Sequence, residues 1–214
     1  IYYLSFCKSY FNVIDIQNIR HGEDYFVIQG SYQRNGKSDS LYCGLKKGQK
    51  KKFKLNNKQY SKLSDHIGLY PLVIISPADY GLISLGSDER RKYIDSVISQ
   101  FDKSYLEDLI SYNKALAQRN SLLKQIAEKR TFDRASIEIY DEQLVKLGNS
   151  IYKKRKEFLD DFLPVFNHYY RFISGAKELT TIDYESHLND GDFKTLLEQA
   201  VERDKRFTYT TVGI

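Results

Sequence analysis

The spacing of apolar and polar positions changes period near Gly86. Before it, "YFVIQGSYQRNGKSDSLYCGL" reads as two strands joined around Asn35-Gly36, a dipeptide suited to the positive φ of a tight hairpin turn. "KKGQKKKFKLNNKQY" continues the meander, with Gly48 at a turn. "YSKLSDHIGLYP" predicts a short helix stopped by Gly68 and Pro71. "PLVIIS", an apolar run bounded by Pro71 and Pro77, predicts a buried strand. Residues 1–76 therefore read as a mixed α/β layer.

After Gly86 the apolar residues recur at helical spacing. Ser87 predicts an N-cap, with Asp88 and Glu89 in the first turn, where anions are favoured. Tyr93, Ile94, Val97, Ile98 and Phe101 fall on one face, and i,i+4 ion pairs are expected from Arg91 to Asp95 and from Asp88 to Lys92. Leu106, Leu109, Asn113, Leu116, Asn120, Leu123 and Ala127 follow a strict 3-4 seam, with the two Asn at equivalent a positions. Phe132, Asp133 and Ile137 fit a hydrophobic staple opening a second helix, whose seam is Ile137, Tyr140, Leu144, Leu147, Ile151 and Phe158. Two such helices joined by a short link must run antiparallel, with Leu109, Leu116 and Leu123 facing Leu144, Leu147 and Ile151. Pro164 predicts an end or kink near Leu163.

Beyond Gly175, "KELTTIDYES" alternates like a strand. "GDFKTLLEQAVERDKRF" predicts a capped amphipathic helix burying Phe193, Leu196, Leu197, Ala200 and Val201, and "TYTTVGI" a strand returning towards the first layer. The expected segments are an α/β part with basic hairpins over 1–85, an α-helical arm over 86–175, and a return segment over 176–214.

Composition adds limits. The chain has 214 residues, 41% hydrophobic and 29% charged, which is ordinary for a globular protein. No apolar run approaches the roughly 18 residues of a membrane span, and no secretory signal opens the chain. Cys7 and Cys43 are too few and too dispersed for a disulfide framework or a zinc site, so the cytoplasm is expected. His21, His66, His168 and His187 never fall at ligand spacing and read as structural or surface residues. The chain contains no Met, and "IYYLSF" and "RFTYTTVGI" read as ends cut through secondary structure. The expectation is an internal piece of a longer protein.

Charge is placed unevenly. Residues 1–76 hold 12 Lys/Arg against 5 Asp/Glu, whereas residues 77–214 hold 21 against 23, so a polyanion is the natural partner of the first third. The run "KKGQKKKFKLNNK" carries Lys46, Lys47, Lys50, Lys51, Lys52, Lys54 and Lys58 without one acid, and Lys8 lies upstream. On strands, alternate lysines point to opposite faces. Two readings fit: a solvated edge that discourages aggregation, or a sequence-neutral phosphate-contact surface. "SPADYGLISLGSDERRKYID" raises a second question, since Arg90, Arg91 and Lys92 stand at a helix N-terminus, which disfavours cations. Either local ion pairs absorb them, or Arg90 and Arg91 face an acidic partner or phosphate across a domain boundary. The 18 tyrosines read mostly as core or interface residues rather than a base-stacking platform. No G-x-x-x-x-G-K-S/T loop, H-E-x-x-H, G-x-S-x-G elbow or glycine-rich dinucleotide fingerprint occurs, so no complete catalytic site is visible.

"SPADYGLISLGSDERRKYID" resembles the signature of the RecF family of bacterial DNA replication and repair ATPases, with Pro77, Asp79, Leu82, Ile83, Gly86, Arg90, Arg91, Tyr93 and Asp95 in the matching places. "IYYLSFCKSYF" is similar to the segment after the family's ATP-loop helix, "YNKALAQRNSLLK" to its arm helix, and "ERDKRFTYTTVG" to its return strand. The resemblance implies an α/β fold: the mixed sheet layer of an ABC/SMC-type ATPase head, incomplete here, with an inserted α-helical hairpin arm. It implies DNA binding at gaps and single-/double-strand junctions, and roles in repair, recombination and the SOS response. ATP and Mg²⁺ are implied as cofactors of a full-length ATPase, with an ATP-dependent homodimer and a RecR-like mediator protein helping to load recombinase. The chain lacks the family's phosphate loop, signature and Walker B segments, and Ile214 stands where the return motif has Pro. No cofactor and no activity are therefore expected of this piece alone. Lys8, Lys46, Lys47, Lys50, Lys51, Lys52 and Lys54 are the candidate DNA contacts. Pro77, Asp79, Gly86, Arg90, Arg91 and Asp95 are the candidates for the joint between arm and head. Two other readings stay open: an SMC-like scaffold whose arm docks proteins, and a nucleic-acid-binding module with no ATPase.

Overall fold

The computed structural model describes residues 1–12, 14–129 and 134–214. The staple expected at Phe132 and Asp133 lies outside the described residues. The chain divides into two compact units, Ile1–Lys103 and Ser104–Ile214. The division falls later than residue 85 because the helix after Gly86 belongs with the sheet-bearing unit.

The first unit opens with α1 (Tyr2–Phe6), followed by β1 (Tyr25–Arg34), β2 (Lys37–Lys46), β3 (Lys52–Leu55) and β4 (Lys58–Gln59). The four strands form an antiparallel meander in the order β1-β2-β3-β4. Asn35 and Gly36, at φ 50° and 74°, close the first hairpin as the sequence predicts. Asn56 and Asn57 adopt the same left-handed region and add β4, an element too short to leave a period of its own. Alternation sends Leu41, Cys43 and Phe53 inward, where Leu4 of α1, Cys7 just after it and Tyr70 complete a core. Each such fully buried side chain contributes about 1.5–3 kcal/mol.

His66 sits fully buried against this core. Its Nε2 lies 2.7 Å from the Leu4 carbonyl and its Nδ1 lies 3.1 Å from the Tyr60 hydroxyl. A carbonyl only accepts, so Nε2 carries the proton and Nδ1 accepts from Tyr60. The ring is thus held neutral, and burial pushes its pKa below the ordinary 6.5.

The helix expected over residues 60–71 reduces to a 3-10 turn at Leu63–Asp65. Gly68 explains the stop: its φ is +88°, and a Cβ there would collide with the Gln100 carbonyl. The strand expected at "PLVIIS" does not form. That segment joins no ladder, Leu72 N–H donates to Gln100 Oε1 at 2.8 Å, and Val73 and Ile75 are 74% and 88% exposed. After α2 (Gly81–Ser84), α3 (Ser87–Phe101) starts with Gly86 as N-cap and without a side-chain cap bond, so Ser87 is its first residue rather than its cap. Ile98 is buried, whereas Tyr93 and Phe101, both expected on the inner face, are exposed.

The second unit holds α4 (Lys103–Lys129), α5 (Arg134–Ser174) and α6 (Phe193–Phe207). α4 and α5 run antiparallel: Tyr105 bonds Arg155, Asp108 bonds Ser150 and Arg119 bonds Asp141. The seam, however, lies one residue from the expected one on α4. Tyr105, Tyr112, Ala115, Arg119, Leu123 and Ile126 are buried, while Asn113 and Ala127 are exposed and Leu109 and Leu116 half-buried. On α5, Ile137, Leu144 and Ile151 are buried as expected, but Gly148, Arg155 and Leu159 replace Tyr140, Leu147 and Phe158. The displacement has a physical cause. Arg119 and Arg155 occupy seam positions, and an apolar-periodicity reading assigns arginine to the surface.

Arg119 is fully buried and donates to Asp141 Oδ1 and Asp204 Oδ2 at 2.6 Å each, and to Thr210 Oγ1 at 2.9 Å. Four segments of the unit, α4, α5, α6 and the stretch holding Thr210, therefore meet on one guanidinium. Asn120, expected to fix a coiled-coil register, instead accepts from the Thr210 N–H and hydroxyl. α5 continues through Pro164 to Ser174 rather than ending near Leu163. Pro164 and Asp160 are both exposed, so water can solvate the carbonyl that the ring leaves without a donor. Ala176 N–H to Arg171 O, at 2.8 Å, then closes the helix as a Schellman turn through Gly175. α6 is capped, as expected, with Asp192 as the capping residue; it buries Phe193, Leu197, Ala200 and Asp204, whereas Leu196 and Val201 are only half-buried. Residues 177–186 and 208–214, both expected as strands, form no ladder, and the second segment begins with Thr208 in the left-handed region. The latter is tied by side chains instead, as when Thr211 N–H donates to Asp204 Oδ1 at 2.8 Å.

Two outcomes are expected. Arg119→Ala strands Asp204 and Asp141 without their cation and lowers the stability of the second unit by about 3–5 kcal/mol in urea unfolding. A loss under about 1 kcal/mol would show the network to be replaceable. For His66 the folded pKa is the lower one, so its stabilising share is complete above the unfolded value, near 6.5, and is lost as pH falls towards the folded value. Melting temperature measured from about pH 7.5 to 5 should fall less steeply in His66→Gln than in the parent. Parallel curves would contradict a neutral, buried ring.

Candidate nucleic-acid interface

The pleat that fills the core also sorts the lysines. On the outer face of the sheet, register places Tyr25 beside Lys46, Val27 beside Gly44 and Lys52, and Gln29 beside Tyr42 and Lys54. Ser31, Gln33, Ser38 and Ser40 continue the same face, so its β1–β3 positions carry no carboxylate. Lys46, Lys50 and Lys52 are exposed and border a shallow concavity of about 170 Å³, which Tyr25, Val27, Tyr42 and Gly44 also line. Lys54 is half-buried, with its ammonium 5.4 Å from the Tyr42 ring centre.

The other candidate lysines go elsewhere. Lys51 points to the inner side and is only 12% exposed; it pairs with Asp15 at 2.6 Å, donates to the Cys7 carbonyl and lies over the Tyr3 ring. Burial pushes the thiols of Cys7 and Cys43 up to about 12 and about 11, so both stay protonated. Lys47 donates to the Glu23 carbonyl at 2.6 Å and to Asp24 at 3.3 Å. Lys8 is exposed but follows α1, the helix that covers the inner face. The structure thus gathers Lys46, Lys50, Lys52 and Lys54 and separates Lys8, Lys47 and Lys51 from them. Sequence reasoning misses Tyr25, Val27 and Tyr42; the odd-numbered alternation along β1 could find the first two, and the even-numbered alternation along β2 the third.

The signature segment is locally satisfied. Asp79 accepts from Ser76 N–H at 2.7 Å and from the Tyr10 hydroxyl, and these bonds, that from Tyr10 foremost, hold its carboxyl below the usual range. Pro77 opens the 3-10 turn that carries it. Arg90 donates to the carbonyls of Leu82 and Leu85 at 3.1 and 3.2 Å, at the end of α2 where a helix dipole is negative. Arg91 pairs with Asp88 and Lys92 with Glu89 at i,i+3, in place of the expected i,i+4 partners. Asp95 is half-buried within α3. Gly86 has φ −66° and open space where a Cβ would stand, so nothing within its own unit demands glycine there.

Neither concavity suits a nucleoside triphosphate. The lysine-lined one is well below the roughly 300–1,000 Å³ of small-molecule sites. A second, of about 340 Å³ between α5 and α6, is lined by Glu138, Asp141, Glu142 and Glu198 against Arg134, Lys146 and Lys194, a balance that does not favour a polyanion. Among the described residues no group of three or more His, Cys, Asp or Glu could hold a metal ion. Among them, too, no helix is long and apolar enough to cross a membrane.

No protein-family model matches the chain. Individual proteins do. The DNA replication and repair protein RecF of Flavobacterium johnsoniae is 51% identical over 214 residues, which is 100% of this chain and 60% of that protein. The RecF of Bacteroides thetaiotaomicron is 49% identical over 215 residues, 100% of this chain and 58% of that protein. Among solved structures, the recombination mediator protein RecF-ATP of the RecFOR pathway superposes with a TM-score of 0.87 at 28% identity, covering 99% of this chain and 59% of that one. The chain therefore spans about three-fifths of the length of the relatives it matches. Its class is α/β: a four-stranded antiparallel sheet with helices, built as in the solved recombination mediators. It belongs to the RecF family.

Proposed function

We propose that this chain is the DNA-contacting part of a RecF-type replication and repair protein, and that it meets the phosphate backbone through the outer face of β1–β3. The observation that carries the reading is Lys46, Lys50 and Lys52, exposed on a sheet face whose strand positions hold no carboxylate. Lysines so placed neutralise phosphates without reading sequence, and release counterions as they do so. Gaps and single-/double-strand junctions are the proposed targets, in the cytoplasm.

ATP and Mg²⁺ belong, in this reading, to the longer protein. Residues 1–214 offer no phosphate loop, and neither concavity described above has a size and charge suited to a nucleoside triphosphate, so no residue is assigned to the nucleotide. An ATP-dependent homodimer and a RecR-like mediator that helps load recombinase complete the proposal. Arg90 and Arg91, at the start of the helix that leads in sequence to α4, are proposed to brace the joint between head and arm.

Replacing Lys46, Lys50 and Lys52 by Gln in the full-length protein should weaken duplex binding for every sequence alike. The slope of log affinity against log salt should shrink by about 0.9 for each phosphate that is no longer neutralised, up to about 2.7 for three. An unchanged slope in a folded variant would leave the lysines as a solvated edge and favour the scaffold reading, in which the helical hairpin docks proteins. Separately, the 214 residues alone should neither bind ATP tightly nor hydrolyse it. Turnover by the purified chain would refute the assignment of the nucleotide to other parts of the protein.

A further inference from the structure

Phosphate binding explains the lysines of the outer face but not what lies between them. Tyr25 and Val27, two positions apart on β1, are 59% and 45% exposed, although burying either side chain would stabilise the fold. Beside Val27 stands Gly44, which leaves the floor of the concavity without a side chain. The Tyr42 hydroxyl lies over that floor, since a Cβ added to Gly44 would come within 2.6 Å of it. The result is a recess of about 170 Å³, whose lining includes Tyr25, Val27 and Tyr42 from the outer face, and which is rimmed by three cations. It is too small for a whole nucleotide cofactor, which calls for several hundred Å³. A single planar heterocycle flanked by negative charge matches both its size and its rim.

We propose that this recess takes one unpaired base of a single DNA strand, stacked on Tyr25, while Lys46, Lys50 and Lys52 hold the phosphates on either side. The proposal rests on the reading of this face as a DNA surface and adds to it the strand state that the face selects. Aromatic residues stack any base, because every base has a π-face, so the preference is for unpaired strand and not for sequence. In duplex DNA the bases are already stacked on one another and cannot enter the recess. The duplex then engages the lysines alone.

The test compares oligo(dT) with a duplex of equal length in the full-length protein. Tyr25→Ala should weaken oligo(dT) binding about 5- to 100-fold, the range expected for one stacked base, and leave duplex affinity within about twofold. Tyr25→Phe keeps the ring and should bind oligo(dT) like the parent, which separates stacking from a hydroxyl contact or a folding defect. The triple Lys→Gln variant should weaken both ligands. If Tyr25→Ala binds oligo(dT) normally while the lysine variant binds neither ligand well, stacking is overturned and the phosphate surface stands. Equal weakening of duplex and single strand by Tyr25→Ala would also overturn it. If the lysine variant alters neither ligand, the surface itself is misassigned and the base site fails with it.

Discussion

The two-residue period of the extended chain governs the first unit, because the same alternation must satisfy a core and a surface at once. In β3 it turns Phe53 and Leu55 inward and Lys52 and Lys54 outward; just before the strand it turns Lys51 inward and leaves Lys50 exposed. A slip of one residue would bury the outer lysines and expose Phe53. Register is therefore fixed by the apolar set on β1–β3 and by two left-handed turns, at Asn35-Gly36 and Asn56-Asn57. The basic face follows from a constraint that concerns hydrophobic burial rather than DNA.

In the second unit a buried ion pair plays the corresponding part. Arg119 carries its charge into a fully buried position, where two carboxylates and a hydroxyl accept from its Nε and Nη1 while Nη2 has no hydrogen-bond partner among the described residues. Burial pushes the Asp141 carboxyl up, against the pull of Arg119, so the network holds charge against a desolvation cost. In exchange it specifies which turn of α4 faces α5 and α6. It also gives residues 208–214 polar partners in place of a β ladder, through Asp204 and Asn120. An apolar contact at the same place would stabilise without fixing orientation so tightly.

The twin arginines illustrate how a local electrostatic conflict is settled. A helix N-terminus disfavours cations, yet Arg90 reaches back to the carbonyl-rich end of α2, and Arg91 and Lys92 each find an acid one turn earlier. Most of these groups are exposed, so the pairs contribute little to stability. They set the direction in which the chain turns from α2 into α3.

The sequence alone determined the elements whose signals are local. The Asn-Gly hairpin, the meander and the capped helix at Phe193–Phe207 each depend on residues a few positions apart and form where their patterns predict; the two arm helices also form and run antiparallel, though with a different seam. The twin-Arg segment likewise identified the family. Tertiary structure decided what depends on distant partners. "PLVIIS" and "KELTTIDYES" have strand-like patterns but no neighbouring strand among the described residues, and a pattern alone cannot supply one. The α4 seam shifted by a residue because acids far along the chain, at Asp141 and Asp204, make a buried arginine possible at Arg119. The lysine run showed that a basic surface was present, but only the register of β2 against β3 chose Lys46, Lys50 and Lys52 for it and committed Lys51 to Asp15. Burial of a charge or an aromatic ring depends on what stands opposite it, and that is a property of the folded chain.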